Sequence, residues 1–241
     1  MHFTVKKSTK NINYSITQTI RKSIFLSILL AISFIKTTKS DKNFIDNQIL
    51  TLVKNSSLHV FSGNIAVAIQ NLDEYGCWCY FYNNIGRGKS QPVDEVDGFC
   101  KVLHEGYMCA IMDAENVGES CIPWEIEYQP GSGAGINVFR HCIELNPNSV
   151  CAQMSCAVEG QFVDNMFAFL LSGSQIDYDS FGHKNGFEPS DNFSEGNCPI
   201  KILNTPGMKA CCGRYPFRFA YKTLDGERAC CGMKTYNTGW F

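Results

Sequence analysis

Apolar and polar positions change period several times along the chain, and each change predicts an element. Residues 41–72 place Phe44, Ile45, Ile49, Leu50, Leu52 and Val53, then Ile65, Val67, Ala68 and Ile69, at helical spacing. Two helical pieces are expected there, the second running into Leu72. Between residues 77 and 91 the periodicity is lost, and Gly86 and Gly88 mark an irregular loop. Pro92 suits a first helical position, Asp94 and Glu95 complement a positive helix start, and the apolar stripe carries a helix to about Asp113. Residues 124–128 alternate with period two and predict a strand, which residues 136–139 answer as its return across the glycine-rich turn at 131–135. The Gly-x-Gly-x-Gly in that turn is better read as a hairpin loop than as a phosphate cradle. A second long helix is expected from near Cys151 to about Leu171. Residues 172–199 are polar and glycine-containing and read as a linker. Beyond it, Ala-Cys-Cys-Gly occurs at residue 210 and again at residue 229, a short internal repeat in a piece with little core of its own. These breaks divide the chain into 1–40, 41–172, 173–197 and 198–241.

The first segment reads as a secretory signal. Lys6, Lys7, Lys10, Arg21 and Lys22 precede an uncharged apolar run from Ser23 to Ile35, too short for a typical spanning helix, and cleavage is expected near Ser40. The segment holds seven of the 21 basic residues and none of the 23 acidic ones, so the remainder is 14 basic against 23 acidic, a net of −9. That balance argues against nucleic acid as a partner and against simple electrostatic docking on anionic lipid. All 13 cysteines follow residue 76. In a secreted chain they imply disulfides, and an odd number leaves at least one thiol free or paired with another chain. No His/Cys cluster has zinc spacing, and His2, His59, His141 and His183 are scattered. Asn55 and Asn192 begin glycosylation sequons, which fit secretion.

Candidate chemistry lies on the two long helices. On the first, Val96, Cys100, Leu103, Tyr107 and Ile111 form one stripe, His104 borders it, and Glu105 lies about 100° further round. On the second, Ala152, Cys156, Val163, Met166 and Leu170 form the apolar face, and Glu159 falls in its middle. A buried carboxylate needs a partner. His104 is the natural one, since a carboxylate behind an imidazole fixes its tautomer.

These residues together resemble a secreted phospholipase A2. The run Tyr75-Gly76-Cys77-Trp78-Cys79, the Gly86-Arg87-Gly88 element, Pro92-Val93-Asp94 and Cys100-x-x-x-His104-acid are similar to that family's calcium loop and first active-site helix. Cys151-x4-Cys156 with Glu159 is similar to its second helix, over roughly residues 60–172 in all. The resemblance implies a mainly α fold: a disulfide-linked antiparallel helix pair with a two-stranded β-wing, here followed by a small cysteine-rich module. It also implies calcium-dependent hydrolysis of glycerophospholipid esters at a membrane or micelle surface. His104 would be the general base, oriented by Glu159. Calcium would be held by Glu105 and by loop carbonyls at Trp78, Tyr80, Gly86 and Gly88. A Cys79–Cys100 disulfide would tie the loop to the helix. The chain departs from the family in having Glu105 for Asp, a longer loop, Met108 where a tyrosine is expected with Tyr107 adjacent, and Tyr107 and Val158 in place of an interhelical disulfide. A non-catalytic extracellular binding or matrix protein on the same scaffold is the alternative. The aromatic run Trp78, Tyr80, Phe81 and Tyr82 fits either a lipid-facing patch or packing beneath the loop. Oligomeric state is not legible.

Overall fold

The computed structural model describes residues 67–69, 71–81, 85, 87–130, 136–189, 197–198 and 209–237, all within the unit Phe44–Phe241. The expected secretory segment, the apolar stretch through residue 66, Tyr82, Gly86, the 131–135 turn and both glycosylation sequons lie outside the described residues. In chain order the elements are α1 (Glu95–Glu115), α2 (Ile136–Leu145), α3 (Val150–Leu171), α4 (Tyr178–Phe181), β1 (Lys209–Cys212), β2 (Phe219–Lys222), β3 (Arg228–Cys231) and β4 (Lys234–Asn237), with 3-10 turns at His183–Asn185 and Leu224–Gly226. Among the described residues no helix is long and apolar enough to cross a membrane.

Helix α1 starts three residues later than Pro92 suggests. The Asp94 side chain caps it by accepting from the Asp97 N–H, and the Val93 N–H turns aside to donate to the Asp97 carboxylate. Its buried stripe is Val96, Cys100, Leu103, Tyr107 and Ala110, with His104 also buried. Helix α3 begins at Ser149, which accepts from the Ala152 N–H, while the Glu119 carboxylate accepts from the Val150 N–H at 2.8 Å and sits at the positive helix end. The middle of α3, from Ser155 to Val163, is buried all round because α1 packs on it from one side and α2 from another.

The long helices run antiparallel: Phe99 meets Phe169 near one end and Cys121 is bonded to Cys151 near the other. Between these points the axes close in at Gly106, where an added Cβ would stand 2.6 Å from Cγ1 of Val158. The glycine–valine contact holds the helices together there.

The expected β-wing is not formed. Residues 123–125 are a turn, 126–130 are irregular, and 136–145 are α2 rather than a return strand. Four residues were too short a window: continued to residue 145, Ile136, Phe139, Cys142 and Ile143 recur at helical spacing. The Cys142–Cys156 disulfide then fixes α2 to α3, and Asn146 holds the irregular segment by bonding both ways with the Gln129 backbone.

The strands lie instead in the C-terminal piece, as two antiparallel hairpins, β1–β2 and β3–β4, joined by Cys212–Cys230. The piece is bonded to α1 through Cys109–Cys211 and through Asp113, which takes a bidentate pair from Arg218 (2.7 and 2.9 Å) and a hydrogen bond from Tyr215. The stretch expected to be a linker also folds back. Tyr178 and Phe181 pack edge-on against Tyr75, and Cys198 is bonded to Cys77. Six disulfides use 12 of the 13 cysteines, leaving Cys231 free and exposed. Such a density fits an extracellular protein.

Candidate active site

The site begins at a tight turn, Tyr75 to Tyr80. Gly76 has a left-handed φ of +58°, and an added Cβ would strike the Asp97 carboxyl at 2.5 Å, so glycine is required on both counts. Asp97, from the first turn of α1, is fully buried and accepts backbone N–H groups from Cys77 (2.9 Å), Trp78 (2.7 Å) and Val93 (3.0 Å). Burial pushes its carboxyl up, against the three donors, which pull it down. The expected Cys79–Cys100 disulfide is present and pins the turn one helical turn before His104.

His104 is buried, 5 % exposed. Its Nε2 lies 2.8 Å from the Tyr80 carbonyl oxygen. A carbonyl only accepts, so Nε2 carries the proton and Nδ1 keeps its lone pair. Among the described residues Nδ1 has no hydrogen-bond partner. Burial lowers the imidazole to about 4, against the Tyr80 bond, which raises it, so the ring is neutral at physiological pH. Trp78 stands edge-on to it with ring centroids 6.2 Å apart.

Glu159 does not orient His104. Its two oxygens are taken by the hydroxyls of Tyr107 (2.7 Å) and Tyr128. The expectation of a buried, partnered carboxylate holds, but the partners are phenols, one from the helix register next to His104 and one from the irregular segment. Burial raises Glu159 to about 7, moderated by the two donors.

Of the donors expected to hold calcium, two carbonyls are engaged within the protein. The Trp78 carbonyl accepts from the Tyr80 N–H at 2.8 Å, and the Tyr80 carbonyl faces the imidazole. Gly88 gives room to an indole: a Cβ there would lie 2.4 Å from the Trp78 ring. Gly86 is outside the described residues. Burial raises the Glu105 carboxyl, and Lys101, one turn away, pulls it down. Among the described residues no three His, Cys, Asp or Glu side chains are grouped to hold a metal. The described donor set therefore does not fit calcium.

The described part of the aromatic run, Trp78, Tyr80 and Phe81, packs inward. Tyr80 and Phe81 are buried, Phe81 against Phe162, and Trp78 is half-buried with its Nε1 donating to the Ser90 carbonyl. Sequence reasoning passed over Asp97, Tyr128 and His183. Asp97 carried a signal, an acid three residues after an Asp cap. Tyr128 and His183 are brought in by segments whose fold was not foreseen. No family model, curated protein or solved structure matches this chain.

Proposed function

We propose that the chain is a secreted, phospholipase-A2-like hydrolase of glycerophospholipid esters in which His104 is the general base. The single observation that carries this is the bare Nδ1 of a buried imidazole whose tautomer a backbone carbonyl fixes. A neutral ring whose Nδ1 has no hydrogen-bond partner among the described residues keeps a lone pair able to accept a proton. Nδ1 would take a proton from that water as its oxygen attacks the ester carbonyl. The C–O bond to the glycerol oxygen then breaks, and the imidazolium returns the proton to the leaving alkoxide, giving a fatty acid and a lysophospholipid. The Tyr80 carbonyl accepting from Nε2–H stabilises the imidazolium in between. In this reaction the chain supplies the His104 imidazole and the Tyr80 carbonyl, and water is the attacking group.

A non-catalytic scaffold on the same fold is the second reading. It is favoured by the engagement of the Trp78 and Tyr80 carbonyls within the protein. Fatty-acid release from mixed phospholipid vesicles, with calcium and with chelator, separates the two. Release in both conditions supports the reaction as written. Release only with calcium keeps the hydrolase and requires the loop to rearrange. No release from folded protein leaves the scaffold.

A further inference from the structure

We propose that His183 is a positioning residue for His104, acting through the Gly76–Tyr80 turn, so that the segment after α3 is part of the site. The inference rests on the reading of His104 as the functional base, although its test does not.

The turn that presents the Tyr80 carbonyl has two walls. One is α1, through Asp97 and the Cys79–Cys100 disulfide. The other is the segment at 181–183. The Gly76 N–H donates to the Phe181 carbonyl (2.9 Å), the His183 N–H donates to the Glu74 carbonyl (3.0 Å), and Tyr75 bridges to Gly182. His183 adds a side-chain bond: its Nε2 donates to the Gly76 carbonyl at 2.8 Å. Its ring also lies against the ring of Tyr80, centroids 5.5 Å apart, and is held flat by Phe187 stacked at 5.8 Å and 13°. One imidazole thus fixes the start of the turn and buttresses the side chain of the residue whose carbonyl fixes the other imidazole. The Cys77–Cys198 disulfide ties the turn to the chain beyond this wall, and both cysteines cluster with Phe187. The chain Phe187–His183–Tyr80–His104 is continuous.

The donor matters as well as the packing, which gives the test its rescue. His183→Ala removes both. His183→Gln restores an N–H near the Nε2 position. In the 15N-labelled full chain, long-range proton–nitrogen spectra read the His104 tautomer and the exchange of its Nε2–H directly, whether or not hydrolysis is seen. We expect His183→Ala to speed that exchange by about tenfold or more, as a local opening of the turn would, and His183→Gln to recover most of it. Where hydrolysis is measured, kcat should fall by about tenfold in His183→Ala with KM little changed, as for a misplaced base. Should His183→Ala fail to fold, the same exchange is read in Phe187→Leu, which keeps the hydrogen bond but frees the ring and should show a smaller acceleration. Unchanged Nε2–H exchange in the folded variant, or a His183→Gln protein no better than His183→Ala, would overturn the proposal. Absence of hydrolysis in the unmutated protein with the exchange effect intact overturns only the reading of His104 as a base.

Discussion

The Tyr107 hydroxyl donates to Glu159 across 2.7 Å, in the middle of the contact between the two long helices. With Tyr128 on the other oxygen, the carboxylate is satisfied without touching His104. Two ionisable groups, one on each long helix, are therefore buried in separate hydrogen bonds, and burial moves them in opposite directions, Glu159 up to about 7 and His104 down to about 4.

Their contributions to stability have opposite signs. Glu159 binds its proton more tightly when folded, so its contribution is full below its ordinary value of 4.5 and is lost as pH rises through about 7. His104 binds its proton less tightly when folded, so its contribution is lost as pH falls from 6.5 toward about 4. Denaturant titrations from pH 4 to 8 should show Glu159→Gln gaining on the parent protein as pH rises, and His104→Gln gaining as pH falls. Parallel curves for parent and variant would refute the burial argument.

Asp97 gathers three backbone donors from the turn and the helix entry, and Asn offers an N–H where one of them needs an acceptor. Asp97→Asn should cost about 3 kcal/mol in equilibrium unfolding, on the scale of buried charge-assisted hydrogen bonds. It should also speed exchange at the Cys77 and Trp78 amides. A loss within ordinary surface effects would mean the turn is held by its disulfides alone.

Gly106 leaves no space for a methyl group against Val158. Gly106→Ala should destabilise by about 1–3 kcal/mol despite its better helix propensity, because both neighbours lie in a close-packed core. A double variant with Val158→Ala should recover part of the loss. A stabilised Gly106→Ala protein would show that the helices separate readily.

Arg218 grips Asp113 with two nitrogens and the Gly213 carbonyl with a third. Arg218→Lys keeps the charge and loses the fork. The C-terminal hairpins should then show faster amide exchange than α1, with the Cys109–Cys211 bond still formed. Equal protection would mean that the disulfide suffices to seat the hairpins.

The long helices were legible because their periodicity is sustained and their caps are acidic or hydroxylic. The burial of Glu159 also followed from placing it on the second of those helices, and the Cys79–Cys100 bond from the family resemblance. Where reading failed, the window was too short or the partner was distant. Residues 136–139 fit either period until residues 140–145 are added. The partners of Glu159 could not be read from its own helix, since Tyr128 arrives from an irregular segment that only Asn146 and the disulfides position. His183 looked scattered because its 79-residue separation from His104 is closed by a fold-back of a polar stretch. The loop glycines were read as a cation cradle, whereas Gly88 makes room for the Trp78 indole.

The most direct test of the account is fatty-acid release by the His104→Gln protein beside the unmutated chain, both shown to be folded with the same disulfides. Loss of about 10²–10⁴-fold, as for removal of a positioned general base, is the expected result. Equal rates in the two proteins would contradict it.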